Sequence, residues 1–330
     1  MIKDLRRLFI LALLLSAPLA GRAQFSAHFI SVGQGEAIYL ELPSGGNALI
    51  DGGPWVSSAT MFLRQKGVTK LDHVVLTHPH SDHYNGLKEV FSAMSVSNFY
   101  DTRLDNANAI GDNTTRDAAA AEPGCSLHYP AAGDTLNWDP QVEIRVLNSC
   151  PAVSSTTKSD KINNCSIVLQ TRYKGNSALF MGDAGFPVED AILARPSGNL
   201  RSAVLKVGHH GSRHSSSQKF LAAVGPSYAY ISAGLNNDYG HPHREVLDRL
   251  NAQGAKIFVT TEGTQSFTLP APGPDGSVQP PILHNPVPMP VIEKSIYSGG
   301  MPVPGRPDAP AQVYPPDGYD DSDLPGSGVE

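Results

Sequence analysis

Residues 77–86 read THPHSDHYNG, and this stretch decides how the rest of the chain is read. His78, His80, Asp82 and His83 put four metal-ligand side chains within six residues. The run before them, 71–76 (LDHVVL), has the apolar, β-branched character of a buried strand, and 85–92 begins as a helix. A strand ending in such a cluster delivers its ligands on one loop. Imidazole nitrogen and carboxylate oxygen suit zinc, manganese or iron. On extended backbone His78 and His80 share a face, which leaves Asp82 and His83 to turn toward a second ion. A polar loop with histidines by accident would not match residue type and spacing at four positions behind a strand.

Other strand ends carry compatible groups. The run 49–53 (LIDGG) ends in Asp51 and two glycines, whose tight turn can aim the acid at a ligand histidine and hold it in place. The run 178–183 (ALFMGD) ends in Asp183, a carboxylate with one oxygen for each of two ions. The run 204–212 (VLKVGHHGS) ends in His209 and His210, and 241–243 (HPH) opens a helix. Sites in layered α/β proteins gather at such strand ends, so these groups predict one binuclear site.

Further strands are expected at 27–32, 37–42, 48–50, 142–147, 166–171, 177–181, 203–207, 228–231 and 256–259. Helices are expected at 58–65, 84–92, 218–224 and 244–253. Sheets covered by helices follow, an α/β layered architecture. The Ala-, Asn- and Asp-rich segment 101–123 reads as a surface insertion, partly helical at best. From 271 to 330 proline and glycine recur with few large apolar residues, which predicts a disordered tail.

With 330 residues, 40% hydrophobic and 17% charged, the chain can bury a sizeable core. A net charge of −6 argues against a protein whose main task is gripping nucleic acid, though not against an enzyme that cuts it. Lys3, Arg6 and Arg7 precede the apolar run 8–19, and small residues follow at 21–23. This is a signal-peptide pattern over 1–23, with cleavage before Gln24 and a secreted or periplasmic product. The apolar run is well short of the roughly 20 residues a bilayer requires, and no later segment reads as membrane-spanning. Of Cys125, Cys150 and Cys165, one pair can form a disulfide in an oxidising compartment. The sequence does not choose the pair.

The assembled motifs resemble the metallo-β-lactamase fold superfamily, and more narrowly the soluble hydrolase domain of the ComEC competence proteins. The resemblance rests on the HxHxDH loop, Ser31-Val32-Gly33-Gln34-Gly35-Glu36, Asn164-Cys165-Ser166, Gly182-Asp183, His209-His210-Gly211-Ser212 and the segment 236–242 (NNDYGHP), and it covers about residues 26–269. It implies an αββα four-layer sandwich over 24–270 and two divalent cations, zinc or manganese. It implies that His78 and His80 hold the first ion, that Asp82 and His83 hold the second, and that Asp183 bridges them. His209 or His210 completes the second set. The segment 161–166 lacks the histidine that many members use for the first ion, which leaves Asn164 or water in its place. Ser31 and Glu36 stand where the family tends to have acids.

Two close cations lower the pKa of a shared water and polarise a phosphoester. Lactam-cleaving relatives commonly lack the bridging acid, so a phosphodiester substrate, DNA among the candidates, ranks first. Envelope-linked or small phosphodiesters such as phosphorylcholine esters come next, then β-lactams and a noncatalytic binding module. Asp82 and His241 are the candidate catalytic residues, His241 as general acid or phosphate contact. Ser212 and Lys206 are candidate contacts to phosphate oxygens.

Overall fold

The computed structural model describes residues 24–54, 57–195 and 198–288. The signal-peptide expectation therefore lies outside the described residues. Two sheets form the centre. The first runs, in spatial order, Ile282–Val287, Thr264–Leu269, Phe25–Phe29, Ile38–Glu41, Asn47–Ile50, His73–Val75, Asn98–Tyr100 and Ser126–His128. The second runs Thr135–Asp139, Val142–Asn148, Val168–Tyr173, Asn176–Phe180, Val204–Lys206, Tyr228–Ile231 and Lys256–Val259. Both are antiparallel at first and end in four parallel strands.

Strand periodicity explains the layering. Successive side chains point to opposite faces, and here both faces are apolar. Phe29, Ile38, Leu40, Ile50, Phe180, Val204 and Tyr230 share a core between the sheets. Tyr39, Leu49 and Val74 instead face Phe62, Leu63, Leu87 and Val90 of the helices Ser58–Gln65 and Leu87–Ala93. Leu179, Leu205 and Ile231 face Val188, Phe220, Leu221 and Val246 of the helices Phe186–Ala194, Gln218–Val224 and Arg244–Ala252. The result is helix, sheet, sheet, helix, the αββα sandwich. The helix Gln218–Val224 shows local sequence control. Ser217 accepts from the Phe220 N–H at its start, and Gly225 closes it in the left-handed conformation.

Two segments hold more regular structure than expected. Residues 101–123, expected as a surface insertion partly helical at best, pack into the fold through buried Asp112, Thr115 and Ala119. They contain the strand Leu104–Asn106 and the helix Gly111–Ala121, in which Arg116 reaches Asp101 at 2.6 Å and Asp112 at 2.8 Å. The segment expected as a tail from 271 also contains a strand. Ile282–Val287 pairs antiparallel with Thr264–Leu269, and Pro286 is tolerated because this is an edge strand. Residues 289–330 lie outside the described residues. A chain ending at Leu269 would leave Thr264–Leu269 as a bare edge, an invitation to intermolecular pairing. It is expected to aggregate where a chain ending at residue 288 stays monomeric, and size-exclusion chromatography of the two truncations checks this. Among the described residues no helix is long and apolar enough to cross a membrane.

Candidate metal centre

The carboxyl ends of the parallel strands in the two sheets meet at one place. Asp51 follows Asn47–Ile50, and the 77–83 loop follows His73–Val75. Asp183 follows Asn176–Phe180, and His209 and His210 follow Val204–Lys206. Two donor sets form there: Asp82, His83, Asp183 and His210, and His78, His80 and Asp183, with the ligand atoms of each set within 4.8 Å of one another. Asp183 belongs to both. Its Oδ2 lies 3.3 Å from His83 Nε2, 3.3 Å from His210 Nε2 and 3.7 Å from His78 Nε2. Asp82 Oδ2 is 3.2 Å from His210 Nε2, and His78 Nε2 is 3.0 Å from His80 Nδ1.

The residues fit divalent cations. Asp183 Oδ1 is buried with no hydrogen-bond partner, a costly arrangement for a carboxylate unless a positive charge sits beside it. His83 Nε2 and His210 Nε2 face each other at 3.3 Å, so a proton or a cation must separate their lone pairs. Burial, with His83 nearby, holds His78 well below the usual imidazole range, and burial brings His80 down to about 4. Both therefore present the neutral ring that ligates. Burial also opposes protonation of His83 and His210, but the surrounding carboxylates outweigh it: Asp183, Asp51 and Asp82 raise His83, and Asp183 and Asp82 lift His210 to about 9. A bound cation would displace those protons.

The surrounding hydrogen bonds orient the ligands. Asp51 is fully buried in a left-handed backbone conformation (φ 58°). It accepts from the Thr77 N–H at 2.8 Å and the Thr77 hydroxyl at 2.6 Å, and it meets His83 Nδ1 at 2.7 Å. His83 is thereby turned so that Nε2 faces the cluster. His210 Nδ1 donates to the Ser232 carbonyl at 2.8 Å, and the Ser166 hydroxyl accepts from the Asp183 N–H at 3.0 Å. Thr77, Ser166 and Ser232 were absent from the sequence-derived site. Ser166 lay inside a quoted motif, whereas Ser232 acts through its backbone and leaves no mark on the sequence.

The 33–36 segment packs onto the metal loop. The Glu36 N–H donates to Asp82 O at 3.2 Å, and a Cβ on Gly35 would stand 2.4 Å from that same carbonyl. Gly35→Ala is therefore expected to push Asp82 out of the second set and reduce metal content. Metal-to-protein ratio by mass spectrometry checks this.

Of the two histidines left open, His210 lies in the second donor set; His209 Nε2 stands 3.9 Å from Asp183 Oδ2 and 3.4 Å from Asn163 Nδ2. The Asn164 Oδ1 accepts from the Gly185 N–H at 3.2 Å, which ties it to the backbone rather than to an ion. Lys206 is buried with Nζ 2.5 Å from Glu36 Oε2, and Ser212 is buried within the 209–215 turn, so neither reaches the open side. His241 packs 5.5 Å from His209 and 6.3 Å from His210, ring to ring. Burial, then the neighbouring imidazoles, brings it down to about 3, so it is a neutral hydrogen-bonding group at neutral pH. Cys150 and Cys165 are disulfide-bonded, and Cys125 is free.

The family model described as the metallo-beta-lactamase superfamily matches residues 30–112, the span that contains Asp51 and the 77–83 loop. Over that span the chain is similar to the metallo-β-lactamase superfamily. Among curated relatives, the chain is 29% identical over 252 residues to ComE operon protein 3 of Bacillus subtilis, covering 71% of this chain and 31% of that one. It is 33% identical over 201 residues to competence protein ComA of Neisseria gonorrhoeae, covering 60% of this chain and 25% of that one. These relatives are competence proteins of the ComEC family, and the chain spans a third or less of their length. A solved metallo hydrolase from Ignicoccus hospitalis shows 16% identity and a TM-score of 0.46, covering 73% of this chain and 98% of that one.

The disulfide closes residues 150–165, a segment that borders the site through Ser159 Oγ, 3.3 Å from His80 Nε2, and through Asn163. Closing a loop of this length stabilises by about 3 kcal/mol in the chain-entropy picture. Cys150→Ser/Cys165→Ser is expected to lower the unfolding free energy by about that amount, measurable by urea titration.

Proposed function

We propose that this chain is an exported, metal-dependent phosphodiesterase that cuts nucleic acid, with two divalent cations held between the donor sets. The observation that carries the proposal is the sharing of Asp183 by both sets, with one of its oxygens buried and unpartnered. His78, His80 and Asp183 would hold one ion, and Asp82, His83, His210 and Asp183 the other. Zinc or manganese bound there would supply Lewis acidity and lower the pKa of water. The chain's own residues do the rest. Asp51 and Thr77 fix His83, the Ser232 carbonyl fixes His210, and His209, Asn163 and His241 offer hydrogen bonds to substrate oxygens along one side. Export is supported by the 1–23 sequence pattern and by a disulfide, a bond that persists in oxidising compartments. The competence-protein relatives favour nucleic acid over lactams.

The test is an activity panel on protein loaded with Mn²⁺ or Zn²⁺. Single-stranded DNA, duplex DNA, RNA, bis-p-nitrophenyl phosphate, p-nitrophenyl phosphorylcholine and a chromogenic cephalosporin are compared. Metal-dependent cleavage of bis-p-nitrophenyl phosphate and of a polynucleotide is expected. Cleavage of the cephalosporin alone, or inertness toward every phosphodiester, would overturn the proposal.

A further inference from the structure

The carboxyl edge of the first sheet does not stop at the metal loop. Its four parallel strands end, in spatial order, at Asp51, at the 77–83 loop, at 101–103 and at Tyr129. Adjacent strands are about 4.8 Å apart, so Tyr129 lies on the order of 10 Å along the edge from the metal loop, with Arg103 between. At that end the structure has a cleft of about 280 Å³, lined in part by Arg103, Tyr129, Asn113, Val153 and Ser154. Tyr129 also lines a second cleft of about 280 Å³.

Three features mark the cleft as a binding surface. Arg103 is exposed and has no carboxylate partner among the described residues; its guanidinium lies 4.2 Å from the centroid of the Tyr129 ring. Arg103 also sits in the left-handed region (φ 63°), a conformation that costs a non-glycine residue free energy and concentrates at functional positions. Tyr129 itself is 38% exposed, and Val153 beside it is 76% exposed. The remaining charges are already used: Asp101 pairs with Arg116, and Asp105 accepts from Ser155 and Asn113. The cleft therefore offers an aromatic and guanidinium platform with little net charge, suited to a flat ring more than to a bare anion.

A continuous wall joins this cleft to the metal centre. Ser154–Thr156 pairs in parallel with Leu104–Asn106, Asn106 Nδ2 donates to Pro79 O at 3.0 Å, and Ser159 Oγ reaches His80. We propose that the Arg103–Tyr129 cleft is a nucleobase subsite, which stacks a base of a single strand whose neighbouring phosphate lies at the metal centre. Only an unstrung strand can present a base in this way. The inference rests on the phosphodiesterase reading and narrows its substrate to single-stranded nucleic acid.

The test uses the metal-loaded full chain on oligo(dT), oligo(U), an abasic strand of equal length and bis-p-nitrophenyl phosphate. Tyr129→Ala is expected to lower the kcat/KM preference for a base-bearing strand over the small diester by roughly 5- to 100-fold, mainly through KM, with a smaller loss for Arg103→Ala. Tyr129→Phe, which keeps the ring, is expected to retain the preference, and the abasic strand is expected to be a poor substrate for the wild type. Comparison of oligo(dT) with oligo(U) assigns the sugar. An unchanged preference in Tyr129→Ala, or equal use of the abasic strand, overturns the subsite and leaves the phosphodiesterase reading standing. Wild-type protein that cuts the small diester but no oligonucleotide overturns the subsite and the nucleic-acid assignment together.

Discussion

Asp183→Ala is expected to lose bound metal and to reduce phosphodiester hydrolysis by at least about three orders of magnitude, ~4 kcal/mol in the activation barrier. The size follows from its position. Its Oδ2 lies between His83 and His210, its Oδ1 has no protein partner, and it is the one residue common to both donor sets. Removing it takes a negative charge away from both proposed cations at once. Burial opposes charge on this carboxylate, but His210, His83 and His209 outweigh it and hold the carboxyl well below its usual range, so its removal also breaks favourable ion pairs and the fold must be followed alongside the metal. Asp82→Ala removes a ligand from one set only, so it should abolish turnover while retaining part of the metal. Metal analysis, circular dichroism and turnover on bis-p-nitrophenyl phosphate check both variants. Full turnover in either one contradicts the proposed roles.

Lys206→Met is expected to destabilise the fold by about 3–5 kcal/mol, a fall in Tm of roughly 6–20 °C for a domain of this size. Lys206 on the second sheet and Glu36 beside the first have fully buried side chains, and Lys206 Nζ also donates to Val207 O at 2.8 Å. Loss of the lysine leaves the Glu36 carboxyl without its partner in the interior. The Glu36 backbone N–H supports Asp82, so the same variant should bind metal less tightly. Lys206→Met/Glu36→Leu should recover most of the stability, since a buried ion pair is worth little more than apolar residues filling its place. Thermal denaturation of the single and double variants measures this, and an unaltered Tm in the single variant would contradict it.

The sequence was most legible where chemistry or periodicity is contiguous. Tyr228–Ile231 and Lys256–Val259 are short β-branched and aromatic runs, and Gln218–Val224 carries its Ser and Gly caps, so local rules suffice. The helix Gly111–Ala121 lies in a segment read as partly helical at best, since its Asp, Asn and Thr residues favour turns. Arg116, held by Asp101 and Asp112, is a tertiary support that propensity does not register. Phe186–Ala194 was not among the expected helices, although a proline in the first turn is compatible with a helix. Ile282–Val287 was missed because its pairing with Thr264–Leu269 is set by the edge it covers, not by its own mostly exposed residues.

The site followed the same pattern. The 77–83 loop announced itself, but the choice of His210 over His209 depends on two consecutive left-handed residues, φ 48° and 52°, that turn one ring inward and leave the other at the rim. Lys206 was a candidate phosphate contact or, equally, a strand residue pointing elsewhere. The strand buries it against Glu36, a partner 170 positions away in sequence.

Anomalous X-ray diffraction from crystals of the Mn²⁺-loaded protein probes the metal centre most directly. Two peaks are expected, one among Asp82, His83 and His210, the other beside His78 and His80, each contacting Asp183. A single peak that Asp183 does not touch, or none within the cluster, would contradict the two-cation centre and the hydrolytic role built on it.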